Sequence, residues 1–365
     1  MLFLRVLRGE RVNCFLENSL PAMTKTDEVP PEDVAKLRGI ITQYFSSRAL
    51  YAAAELDVAG ALAGGPRHID DLATSTGTHA PSLYRVLRVL AMNGIFAEGA
   101  DGKLSNTPLS NLLRSDVPGS LRDLVLLFGD ETSWRSWEGI LHAVRTGQAP
   151  FEKIYGEKFF DYLQTHPDTA AMFDRAMASS SASTNAAVVK SYDFSGVGTL
   201  VDVAGGIGST LCGIVAATPG LKGIVFDLPH VGERAQAFIA SHGLSARCEF
   251  VSGSFFEAVP PGAGAYFMKH ILHDWGDEDC AKILATCRLA MPTNSRLLIC
   301  ERIVPSGNEA SPAKVIDLHM LMTNHGGKER TEKEFRTLLT GSGFSLVRII
   351  QTGSAWSLIE ATRKV

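Results

Sequence analysis

Past Gly198 the chain alternates short β-branched runs with helical stretches, and that alternation limits the fold more than any other feature of its 365 residues. The runs TLVDVA (199–204), GIVFDL (223–228), CEFVSG (248–253), AYFMKHIL (265–272) and SRLLICERIV (295–304) read as strands. Alternating β and α units of this size build a mostly parallel, doubly wound sheet with right-handed crossovers. Two last runs, FSLVRIIQ (344–351) and WSLIEATR (356–363), are joined by a short turn at Gly353. A closing hairpin means that at least one strand runs antiparallel.

The first half reads differently. Leu37, Ile40, Ile41, Tyr44 and Phe45 recur at helical spacing and form one apolar stripe. Residues 68–98 then give a short helix, a turn at Gly77, a second helix starting near Pro81 and a strand after Gly94, which is a winged helix-turn-helix pattern. DNA readers place cations on the second helix, yet here Leu83, Val86, Leu87, Val89, Leu90 and Met92 outnumber Arg85 and Arg88. A packing or subunit-facing module fits better than a nucleic-acid reader. Between the halves, residues 128–194 hold eleven aromatics, including Phe128, Trp137, Phe160 and Phe173. Most serve as core, but rings beside a ligand-binding sheet also suit a flat organic molecule.

The chemistry starts at VDVAGGIGST, residues 201–210. A Gly-rich turn after a first strand brings backbone close to a nucleotide and aims a helix N-terminus at it. Counted from Gly206, Gly208 fits the dinucleotide fingerprint, but Leu211 stands where its last glycine belongs, and no Walker lysine follows. Asp202 sits just before the glycines, where it would repel a pyrophosphate and attract an ammonium or a sulfonium. Asp227 closes the next strand, placed to accept from ribose hydroxyls. Together these point to S-adenosylmethionine over NAD or ATP.

From about residue 199 to 361 the sequence resembles the small-molecule O-methyltransferases of plants and bacteria, the caffeate, acetylserotonin and antibiotic-tailoring group. LVDVAGGIG, FDLPHV, FMKHILHDWGDEDC, ERIVP and GGKERTEKEF occur in that family's order and at its approximate spacing. The resemblance implies a Rossmann-like class I methyltransferase domain over 191–365, a helical substrate-binding bridge over 126–190 and a winged-helix dimerisation domain over 23–125. Residues 1–22 read as a leader or as sequence ahead of a start at Met23. For the cofactor, the resemblance implies Gly205, Gly206 and Gly208 beside the methionine end, Asp227 and Leu228 at the ribose, Ser254 and Phe255 at the adenine, and Lys269 against the adenosine. Plant members carry Asp-Met where Ser254-Phe255 stand, so a hydroxyl or backbone group replaces a carboxylate there. His273 is implied as general base, with Glu301 on its far ring nitrogen and Glu329 flanking the other side. Met177, Asp274, Met320 and Asn324 are implied beside the acceptor, S-adenosylhomocysteine as product, and a homodimer as the assembly. Asp274 has a second reading as cap of the helix that follows it.

A metal site built on His270, His273 and Asp274 is the rival reading, but the three straddle a strand end, and no further His/Cys cluster supplies a third firm ligand where structural zinc wants four. The expectation is therefore no metal. Net charge −4 and pI near 6.2 give no electrostatic reason to bind nucleic acid or an anionic membrane. Six cysteines without a C-x-x-C pair suit reduced thiols, and so a cytoplasmic protein. A cofactor-sensing regulator or an inactive binding protein on the same fold is the alternative to an enzyme. It would have no need of a supported base.

Overall fold

A computed structural model describes residues 29–364, without the side chains of residues 180–183. The possible leader, Met23 and Cys14 lie outside the described residues. The chain divides into two compact units at Ser46.

In the first unit, residues 31–46 belong to the helix Pro31–Glu55. Leu37, Ile40, Ile41, Tyr44 and Phe45 leave more than half of their surface exposed, so the expected stripe exists but faces outward. In the second unit, helices Ile69–Thr76 and Ala80–Met92 precede a hairpin of β1 (Phe96–Glu98) and β2 (Leu104–Asn106), the expected winged pattern. Leu83, Leu87 and Leu90 of the second helix are buried, whereas Arg85 and Arg88 stay exposed.

The main sheet contains β3 (Thr199–Val203), β4 (Lys222–Asp227), β5 (Cys248–Ser252), β6 (Ala265–Lys269), β7 (Arg296–Glu301), β8 (Phe344–Gln351) and β9 (Ser357–Arg363). Their order is β5-β4-β3-β6-β7-β9-β8, with β9 antiparallel to both of its neighbours and the rest of the ladder parallel. Each face carries its own core. Val201, Tyr266, Met268 and Ile299 pack on one side with Ile283, Leu284 and Phe335. Leu200, Phe267, Leu298 and Leu358 pack on the other with Leu211 and Ile214. Burial of both faces explains why β6 reads as a continuous apolar run.

Strand order reverses between β3 and β6, which opens a crevice beyond their carboxyl ends. Both strands leave that edge through a residue with left-handed backbone, Ala204 at φ 56° and His270 at φ 59°. Strand β6 therefore ends at Lys269 and not at Leu272, as the apolar run suggests. The next residues wind into a 3-10 turn, Leu272–Asp274. After β3, Gly208 caps the helix Ser209–Ala217 with φ 84°, and a β-carbon there would lie 2.7 Å from Val225 Cγ2. Gly208→Ala combines that clash with a left-handed backbone, so it lowers unfolding free energy by about 2 kcal/mol. Urea denaturation followed by circular dichroism measures the loss.

Candidate active site

The 3-10 turn exists because Glu301, the last residue of β7, reaches across to β6. Its Oε1 accepts the backbone N–H groups of Ile271 (3.0 Å) and Leu272 (2.9 Å), taking the place of strand pairing. His273 follows immediately, with 8% of its surface exposed. Its Nδ1 lies 3.0 Å from Glu329 Oε1, 56 residues downstream, and 4.0 Å from Glu301 Oε2. Both glutamates stand on the Nδ1 side of the ring, with Glu329 at hydrogen-bond distance and Glu301 farther away. Glu329 holds the ring nitrogen, and Glu301 holds the turn that carries the ring. Asp274 Oδ1 stands 3.6 Å from the other ring nitrogen, Nε2.

Three carboxylates around one imidazole, two of them buried, decide its protonation. Burial opposes a charge on His273, but Asp274, Glu301 and Glu329 together outweigh it and push the pKa up to about 10. Asp274 goes up to about 7, raised by burial and held back by His273. Burial likewise raises Glu301. Asp274 is no helix cap: Gly276 occupies that position for Asp277–Ala290, and Asp274 accepts from the Asn324 side-chain amide. The metal trio of the sequence reading does not form either. His270 stacks on Trp356 with ring centroids 3.7 Å apart, and burial holds its pKa far below the usual value. Among the described residues, the group whose ligand atoms converge, within 4.8 Å, is His273, Glu301 and Glu329.

Arg330 escapes sequence reading altogether. Its side chain is fully buried, donates to the carbonyls of Leu272 (2.6 Å) and Trp275 (2.9 Å), and pairs with Asp277 at 2.8 Å. Adjacent residues therefore grip the same turn, Glu329 by its imidazole and Arg330 by its backbone. Asp317 Oδ1 accepts the Glu329 N–H at 2.9 Å, and Arg302 lies 3.6 Å from the Glu329 carboxylate.

Across the crevice, Asp227 Oδ2 accepts the Gly206 N–H and its Oδ1 accepts the Leu228 N–H, each at 2.7 Å. A β-carbon on Gly205 would lie 2.8 Å from the Asp202 carboxylate. That carboxylate is buried, its Oδ2 has no hydrogen-bond partner among the described residues, and burial raises its pKa to about 7. Lys269 opposes the rise, and burial lowers its own pKa. An orphaned acceptor at the carboxyl end of β3 calls for a cationic or hydrogen-bonding ligand, so the residues present fit a sulfonium cofactor with an amino-acid end. Ser254 and Phe255 sit in the turn after β5, where the Ser254 hydroxyl accepts the Phe256 N–H at 3.3 Å. Phe255 meets the Trp275 ring edge-on at 5.8 Å.

On the His273 side, Asp274, Trp275, Asn324 and His325 line a cleft with Phe159 and Phe160. Phe160 and Trp275 stack at 6.0 Å. Met320 and Asn324 are buried at the end of the helix Pro312–Thr323, and the Asn324 Oδ1 atom has no partner among the described residues. Met177 is half-buried within the helix Pro167–Ser191. A second cleft, between residues 189–195 and 217–219, lies at the amino edge of the sheet, away from these groups.

Residues 137–345 match the model of the O-methyltransferase domain, and residues 39–116 match the O-methyltransferase dimerisation domain. The chain belongs to the O-methyltransferase family. It is 42% identical over 322 residues to the phenazine O-methyltransferase of Lysobacter antibioticus, spanning 88% of this chain and 94% of that enzyme. The crystal structure of LaPhzM superposes with a TM-score of 0.87 at 41% identity, covering 92% of this chain and all of that one. A neocarzinostatin-biosynthesis O-methyltransferase, solved with S-adenosylmethionine and 2-hydroxy-5-methyl naphthoic acid, superposes at 0.74 with 32% identity over 87% of this chain and 96% of its own. This O-methyltransferase uses S-adenosylmethionine as its cofactor.

Because Arg330 is fully buried and each of its donors is engaged, Arg330→Ala strips its charged donor from two carbonyls and leaves Asp277 paired with Lys328 alone. The loss expected in urea denaturation is about 3 kcal/mol.

Proposed function

We propose that this O-methyltransferase methylates a hydroxyl of a small aromatic acceptor, with His273 as general base. The observation that carries the reading is the buried hydrogen bond from His273 Nδ1 to Glu329. It fixes the imidazole so that Nε2 is the nitrogen left for the acceptor oxygen. An ordinary histidine taking a proton from a phenol faces a gap of roughly 3.5 pKa units, about 5 kcal/mol. The carboxylates around His273 remove most of that gap. The acceptor's proton then rests on Nε2, with the positive charge spread toward Glu329. Glu301 acts as a positioning residue through the turn it holds.

When bound, S-adenosylmethionine supplies a methyl group on a sulfonium. Asp202, Gly205, Gly206 and Gly208 are assigned to its methionine end, Asp227 and Leu228 to the ribose, and Ser254, Phe255 and Lys269 to the adenosine. Met177, Asp274, Met320 and Asn324 are assigned to the acceptor, in a site that works without a metal ion. The phenazine and the naphthoic acid named for its relatives support a flat aromatic acceptor, as do Phe160 and Trp275 along the cleft. We further assign 23–125 to dimerisation, 126–190 to acceptor binding and 191–365 to cofactor binding and catalysis. The outward apolar stripe from Leu37 to Phe45 supports a homodimer. Among the described residues no helix is long and apolar enough to cross a membrane, and the five cysteines are free and buried, which supports a cytoplasmic site of action.

His273→Gln is expected to lower kcat at least a hundredfold while S-adenosylhomocysteine still raises Tm. Wild-type-like turnover in that variant, in an acceptor screen read by mass spectrometry, would remove His273 from the mechanism. Only the neutral imidazole accepts a proton, and the folded pKa of His273 lies above its ordinary value. For an acceptor that stays un-ionised, kcat/KM should therefore climb from pH 6 toward pH 10.

A further inference from the structure

The helix Pro312–Thr323 presents a histidine for which the proposed reaction has no use. His319 lies one residue before Met320. Its ring meets Phe128 edge-on with centroids 5.0 Å apart at 87°, and lies nearly parallel to Trp137, 6.2 Å away at 19°. Protein closes around most of the imidazole, yet the residue keeps partial access to solvent. Neither ring nitrogen forms a hydrogen bond among the described residues. Burial, and next the charge of nearby His273, hold its pKa at about 4, so it is neutral wherever the enzyme works. Two imidazoles within electrostatic reach thus occupy opposite states, one carrying a proton and one refusing it.

A neutral imidazole offers one N–H donor and one bare acceptor nitrogen. Set between a phenyl and an indole ring, both are costly to desolvate unless a ligand completes them. We propose that His319 is a specificity residue that hydrogen-bonds a second polar group on the ring system whose hydroxyl is methylated. The enzyme should then prefer hydroxyarenes carrying such a group over plain ones, because the plain molecule leaves a buried polar atom unpaired. This proposal rests on the acceptor side assigned above, but its test needs no turnover, so it stands or fails independently of the base assignment.

The test is binding calorimetry on the full chain saturated with S-adenosylhomocysteine. The probes are 2-naphthol and its derivatives with a second hydroxyl at position 3, 6 or 8. Wild type is expected to bind at least one diol about tenfold more tightly than 2-naphthol, the size of one good hydrogen bond. His319→Leu, close in volume, should cut that preference to under about twofold while 2-naphthol affinity holds, and His319→Gln should restore part of it. A wild type that favours none of the diols overturns the proposal. So does a preference that survives in His319→Leu, which would move the reading of the second group to the unpartnered Asn324 carbonyl.

Discussion

Three carboxylates, Glu301 and Glu329 buried and Asp274 partly so, crowd one imidazole, and the rest of the site is organised around that crowding. Asp274, Glu301 and Glu329 lie within 4.0 Å of the His273 ring nitrogens, and Arg302 is the cation beside Glu329. With the ring neutral, that cluster concentrates negative charge where water cannot screen it. One proton on His273 relieves the excess. The arrangement therefore tunes the base by placing anions, where many enzymes tune by burial alone, and burial here works in the opposite direction.

Holding such a cluster together needs a scaffold that cannot drift, because its members repel each other when the proton leaves. The scaffold is built into the sheet edge. Glu301 closes β7 and grips the turn after β6, while Glu329 and Arg330 enter from the last connection before the helix Glu332–Gly341. Left-handed backbone at Ala204 and His270 turns both central strands away from the crevice at the same level. Residues without glycine's freedom hold that conformation only where surrounding contacts fix it, and the His270 stack on Trp356 is one such contact.

Much of this was legible in the sequence. Apolar runs gave the parallel strands because both sheet faces are buried, and the glycines of 205–208 marked the crevice because their geometry excludes a β-carbon. The identity of the trio His273, Glu301 and Glu329 came with the motif resemblance. What did not come through was which oxygen meets which hydrogen. A glutamate can serve a ring or a backbone N–H equally well, and only the register of β6 against β7 assigns Glu301 to the turn. The end of β6 is not legible, because nothing in the letters of Met268-Lys269-His270 announces a positive φ. Arg330 and His319 were invisible for a related reason, since burial of a charged or polar ring depends on partners far away in sequence.

The surrounding carboxylates make His273 hold a proton at neutral pH. Nuclear magnetic resonance of histidine-labelled protein tests it directly, with the His273 signal assigned by its absence from His273→Gln. The ring is expected to stay protonated through pH 8 and to titrate near 10, and Glu329→Gln to shift this titration downward. A His273 signal that titrates near the ordinary value of about 6.5, unmoved by Glu329→Gln, would contradict it.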